Sequence, residues 1–104
     1  MISKTLSLPR LNQLSPTLES TALKLMEEAG ELACCIGKFR GLSGEDVVMS
    51  QEEVMEEIAR ELLDVAQTAV TMMYVMEEQY DLDIQQMLQE HVDKLQRKGY
   101  ISEN

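Results

Sequence analysis

Residues 51–80, QEEVMEEIARELLDVAQTAVTMMYVMEEQY, decide the fold class. Ser50 precedes the run and Glu53 follows it by three residues, the spacing of a capping box at a helix start. Val54, Ile58, Leu62, Val65, Ala69 and Met72, with Met73 and Met76, then recur at three- and four-residue steps. That is the period of an α-helix, running from about Gln51 to Tyr80. Leu63, Val70 and Tyr74 form a second apolar line on an adjoining face. One stripe covers one neighbour; two stripes ask for burial on two sides and so predict an oligomer.

Upstream, Pro16 suits a first helical turn, with Ser15 as the expected N-cap. Leu18, Ala22, Leu25, Ala29, Leu32 and Ile36 carry a helical period to about Phe39. Residues 1–16, with Pro9 and Pro16, have no sustained period and read as an irregular arm. Between the two helices lies RGLSGEDVVMS, residues 40–50, where Gly41 and Gly44 are stop and loop signals. This loop is expected to be mobile. Downstream, Asp81 or Asp83 caps a third helix bearing Ile84, Met87, Leu88, Val92 and Leu95 and ended by Gly99. No repeat, low-complexity tract or convincing strand is found. The expectation is an all-α protein: an antiparallel bundle of three main helices completed by oligomerisation, with residues 1–104 as a single domain.

With 104 residues, the chain has room for one domain. Nineteen acidic against nine basic side chains, a net charge of -10, repel a phosphate backbone and argue against a nucleic-acid polymer as partner. A small anion remains possible where cations sit between it and the acids. The sequence has no basic-then-apolar leader and no apolar run of membrane-spanning length, which makes the cytoplasm the expected location. Cys34 and Cys35 are adjacent, so their side chains diverge on a helix and a disulfide between them is not expected; two small buried apolar side chains is the simplest reading.

Most of the acids belong on solvated faces. Two pairs do not. Glu28 and Glu31, and then Glu61 and Asp64, are each three residues apart, so each pair projects from one side of its helix and borders the apolar packing face. Like charges crowded at a packed seam lose hydration and repel, at a cost of several kcal/mol per ion. Arg and Lys could compensate in a structural ion network. A hard divalent cation compensates better, because it takes several carboxylate oxygens at short range. The only histidine, His91, follows Leu88 rather than Glu at the three-residue spacing, which removes the di-iron motif, and no Cys/His spacing suits zinc. An oxygen-only cage favours Mg²⁺, with Mn²⁺ as the alternative, and suits phosphate chemistry.

At these residues the sequence resembles the MazG-like nucleotide pyrophosphohydrolases, of the all-α NTP pyrophosphohydrolase superfamily. Their EExxE followed by ExxD reads here as Glu27, Glu28 and Glu31, then Glu61 and Asp64, within LMEEAGELA and EIARELLDVAQTAV. The likeness covers roughly Leu18 to Tyr100. It implies Glu28, Glu31, Glu61 and Asp64 as metal ligands, cleavage of nucleoside triphosphates between the α and β phosphates, and homodimers or homotetramers with sites between helices. Many such proteins clear non-standard or surplus nucleotides. The family's downstream basic segment often carries a Lys-Asn pair, whereas HVDKLQRKGY has no asparagine.

Glu27 is the candidate for orienting or deprotonating the attacking water; its alternative is an exposed helix acid. Lys24, Lys94, Arg97 and Lys98 are candidates for the phosphates, the last three alternatively serving as a positive helix C-terminus. His91 reads as a partly buried helix residue. A non-catalytic helical nucleotide-binding or interaction module is the alternative for the whole chain.

Overall fold

A computed structural model of the chain describes residues 1–41 and 50–102. Three helices account for its regular structure: α1 (Leu18–Phe39), α2 (Gln51–Tyr80) and α3 (Ile84–Arg97). No strand occurs among the described residues. Residues 42–49, including Gly44, Glu45 and Asp46 of the segment expected to be mobile, lie outside the described residues.

Local chemistry accounts for each boundary. Ser50 Oγ accepts from Glu53 N at 3.2 Å and opens α2 where the sequence places it. The α1 cap is a correction. Thr17, not Ser15, is the N-cap: Thr17 Oγ1 accepts from Ser20 N while Ser20 Oγ accepts from Thr17 N, a reciprocal capping box. Pro16 therefore sits one residue before the cap instead of in the first turn. Asp81 and Asp83 divide the work between them. Asp81 ends α2 in the left-handed conformation, φ 57°, and Asp83 caps α3 by accepting from Gln86 N. Gly99, at φ 79°, closes α3: Gly99 N donates to Gln96 O and Tyr100 N to Leu95 O, a Schellman pair that glycine adopts without a Cβ penalty.

α1 and α2 run antiparallel. Near the start of α1, Thr21 shares a cleft with Thr68 and Thr71; further along, Glu28 meets Glu61, and Cys35 senses the charge of Glu57. The seam of α2 recurs at heptad spacing, through Val54, Glu61, Thr68 and Val75, with Thr71 between the last two. This departs from the expected stripe. Leu62, Leu63 and Met73 lie on exposed surface, at 55%, 50% and 42% of full accessibility, whereas Val54 of the expected stripe is buried and Ile58, Val65, Ala69, Met72 and Met76 are half-buried. Only Val54 and Val75 are buried apolar side chains among the described residues.

α3 stands apart. It meets α2 sparingly and does not pack on α1. The Cα radius of gyration is 17.0 Å, against about 13 Å for a close-packed chain of this length. The irregular arm, by contrast, is tied down. Arg10 makes a two-pronged ion pair with Glu78, at 2.8 and 2.9 Å, Gln67 Nε2 donates to Pro9 O, and Gln79 Nε2 donates to Pro16 O. Three α2 side chains thus hold the arm along that helix.

Candidate metal centre

The middle of the α1–α2 seam carries acids where apolar side chains usually interlock. Glu28 is buried, Glu61 half-buried and Glu31 exposed, and one carboxylate oxygen from each lies within 4.8 Å of the others. Glu28 and Glu31 come from one turn of α1, and Glu61 reaches them from the facing turn of α2.

The burial of these oxygens is incompletely compensated. Glu28 Oε1 accepts from Lys24 Nζ at 2.9 Å, but among the described residues Glu28 Oε2 has no hydrogen-bond partner, and neither does the buried Oε2 of Glu61. Burial raises the Glu61 pKa above the usual carboxylate value, and the charges of Glu31, Asp64, Glu57 and Glu28 push it the same way. Lys24 is pulled above the ordinary lysine value by its hydrogen bond to Glu28 and by the charges of Glu27 and Glu28. A single ammonium on an exposed stem is thus shared between two acids, Glu27 lying at 3.5 Å.

Orphaned oxygens on converging carboxylates are the donor set a hard, oxygen-seeking divalent cation requires. Glu28, Glu31 and Glu61 therefore fit such an ion. Asp64 is exposed and stands outside this trio, one turn along α2, but it lines the adjoining cleft beside Glu28 and adds to the field on Glu61. Glu27 lies on the exposed side of α1.

The basic candidates separate. Lys24 is at the cluster. Lys94, Arg97 and Lys98 sit on the last turn and cap of α3, and Arg97 lines a hollow with Asp93, Gln96 and Ile101, on a helix that does not meet α1. Within one chain they are not brought to the carboxylates. His91 is exposed, not partly buried, and of the two free cysteines Cys34 is exposed and Cys35 half-buried, so the buried pair expected from sequence is not formed.

Two features escaped the sequence reading. Glu57 precedes Glu61 by one turn and Asp64 by two, which puts it on the same face; an acid-rich helix start concealed it. The cleft beside Glu28 was the other. It occupies ≈ 450 Å³ between α1, α2 and the arm, and only folding brings the arm there.

Comparison with known families matches residues 16–99 to the MazG nucleotide pyrophosphohydrolase domain. Comparisons with curated proteins and with solved structures give no significant match. The matched span contains all three helices and every carboxylate of the cluster. On that match, which takes in most of the chain, the protein belongs to the MazG nucleotide pyrophosphohydrolase family.

Proposed function

We propose that the protein is a Mg²⁺-dependent hydrolase that splits nucleoside triphosphates between the α and β phosphates. The products are a nucleoside monophosphate and pyrophosphate. The observation that carries this reading is the pair of buried, unpartnered oxygens, Glu28 Oε2 and Glu61 Oε2, in a cluster with Glu31. Glu28, Glu31 and Glu61 hold the ion, and Asp64 completes the set from the cleft side. Mn²⁺ is the alternative occupant. A divalent cation held there would supply charge neutralisation for the triphosphate and acidify a water molecule.

The chain's own groups do the rest. Glu27 orients the attacking water and takes its proton. The water oxygen bonds to the α-phosphorus, the bridging bond to the β-phosphate breaks, and pyrophosphate leaves with the electron pair. Lys24, whose ammonium contacts Glu28, would meet a phosphate oxygen of the bound triphosphate. A second copy of the chain supplies Lys94, Arg97 and Lys98, which α3 holds away from the cluster of its own protomer. Exposed Leu62, Leu63 and Met73, with Leu23 and Met26 on α1, favour the homodimer or homotetramer such sharing needs. Residues 1–104 then act as one domain. No described helix is long and apolar enough to cross a membrane, and the reading places the protein in the cytoplasm, clearing unwanted nucleotides.

The test is pyrophosphate release from a panel of NTPs and dNTPs with Mg²⁺. Glu61→Gln should lower it by roughly 100-fold or more, a loss that even outer-shell changes at metal sites approach. Its helical circular dichroism should remain. Equal trace release from both proteins would return the chain to a non-catalytic binding module.

A further inference from the structure

We infer that the N-terminal arm, clamped to α2 by Arg10 and Glu78, is the wall that encloses the nucleoside half of the substrate in the cleft beside Glu28. The inference rests on the nucleotide reading above and names the part of the chain that recognises what is not phosphate.

The cleft has two unlike ends. Lys24, Glu28 and Asp64 mark the charged one, where the cation and phosphates belong. Leu11, Leu14 and Pro16 of the arm form an apolar wall over Thr71. Asp64 and Thr71 are seven residues apart on α2, so these ends are separated by about 10 Å along the helix. A volume of ≈ 450 Å³ falls within the range of small-molecule sites, on the order of 300–1,000 Å³.

The polar atoms between the ends select the kind of group. Thr21 Oγ1 donates to Thr17 O at 2.8 Å, and Thr68 Oγ1 donates to Asp64 O at 2.9 Å. Both hydroxyl protons are spent on backbone, which leaves lone pairs to accept from a ligand. An apolar wall facing acceptors suits a neutral flat group bearing N–H or O–H donors, as a base and its sugar do. Among the described residues no aromatic ring lines this cleft, so Leu11 and Leu14 take the stacking position.

The clamp sets where that wall stands. Arg10 and Glu78 line a second hollow, of ≈ 180 Å³, which shares Leu11, Leu14 and Thr71 with the cleft. Releasing the ion pair frees the same two leucines that face the nucleoside. Gln67, bound to Pro9 O and to Thr71 Oγ1, is the second positioning residue.

The experiment compares wild type, Leu14→Ala, Arg10→Glu and the double variant Arg10→Glu/Glu78→Arg. For Leu14→Ala and Arg10→Glu, KM for nucleoside triphosphates should rise roughly tenfold, the loss appearing in KM rather than kcat, as expected for a contact made equally in ground and transition states. Discrimination among bases should narrow. Inhibition by inorganic tripolyphosphate, which has no nucleoside, should be unchanged, and the charge-swapped double variant should recover KM. An unchanged KM, or tripolyphosphate inhibition weakening in parallel, overturns the inference while leaving the hydrolase reading standing. Should wild type release no pyrophosphate, the hydrolase reading fails alone, and calorimetric titration with nucleoside monophosphates decides the cleft. Weaker binding by Leu14→Ala than by wild type supports it; equal binding, or none by either, overturns it.

Discussion

Glu61 and Glu78 occupy the same helix and respond to folding in opposite ways. Glu78 meets a guanidinium, whose hydrogen bonds and charge hold its carboxyl below the ordinary value. Glu61 meets other carboxylates, and burial raises its pKa. The first acid is neutralised by the protein and fastens an arm. The second is left with a buried oxygen that nothing in the described chain satisfies. An acid supplied with a counter-ion stabilises a fold; an acid denied one marks a place where a ligand must complete the charge balance.

The largest expected effect breaks the comparison at the uncompensated end. Glu61→Gln should remove roughly 100-fold or more of the pyrophosphate-releasing activity, in line with losses at metal sites. It should also raise the melting temperature of the metal-free protein, because a neutral amide does not repel Glu28, Glu31 and Asp64. A variant that keeps full activity would disqualify Glu61 as a ligand.

Next comes the cation itself. Scanning calorimetry with Mg²⁺ at about 100 times its dissociation constant should show stabilisation of about 2.7 kcal/mol. Glu28→Gln should lose most of that gain. Sodium at matched ionic strength should reproduce little of it, and an equal response to both salts would reduce the cluster to general screening.

Titration sharpens the contrast. Since the folded-state pKa of Glu61 is raised, its contribution to stability is present below the unfolded value and lost as pH rises through the folded one. Glu78 has the opposite sign. Its folded pKa is depressed, so its contribution is present above the unfolded value and lost as pH falls through the folded one. Melting curves across the acidic range should therefore lose the neutral-side limb in Glu61→Gln and the acid-side limb in Glu78→Gln. Identical profiles in both variants would show that the two sites do not differ as described.

The smallest effect concerns the arm. Arg10→Ala breaks an exposed ion pair, a type of contact that adds little to global stability. Its melting point should hardly move, yet limited proteolysis should cut within residues 1–16 sooner than in wild type. Unchanged proteolysis would mean that the glutamine contacts alone secure the arm.

Much of this was legible before folding. Local hydrogen-bonding chemistry and the helical period lie along the chain, and they placed α2 at Gln51–Tyr80, α3 after the Asp81/Asp83 pair, and the Glu28/Glu31 and Glu61/Asp64 spacings on shared faces. The sequence by itself also carried the family signature, since EExxE and ExxD are patterns of neighbours. Tertiary structure decided which line of α2 faces α1, that Glu28 rather than Glu31 is buried, that Asp64 stands outside the closest trio, and that the arm lies along α2. It also held Lys94, Arg97 and Lys98 away from the cluster within one chain. The physical reason is one of range. Periodicity tells which residues share a face, but only the competition among all faces for partners tells which face is buried, and here Glu61, Thr68 and Thr71 share the seam with Val54 and Val75 while Leu62, Leu63 and Met73 remain outside.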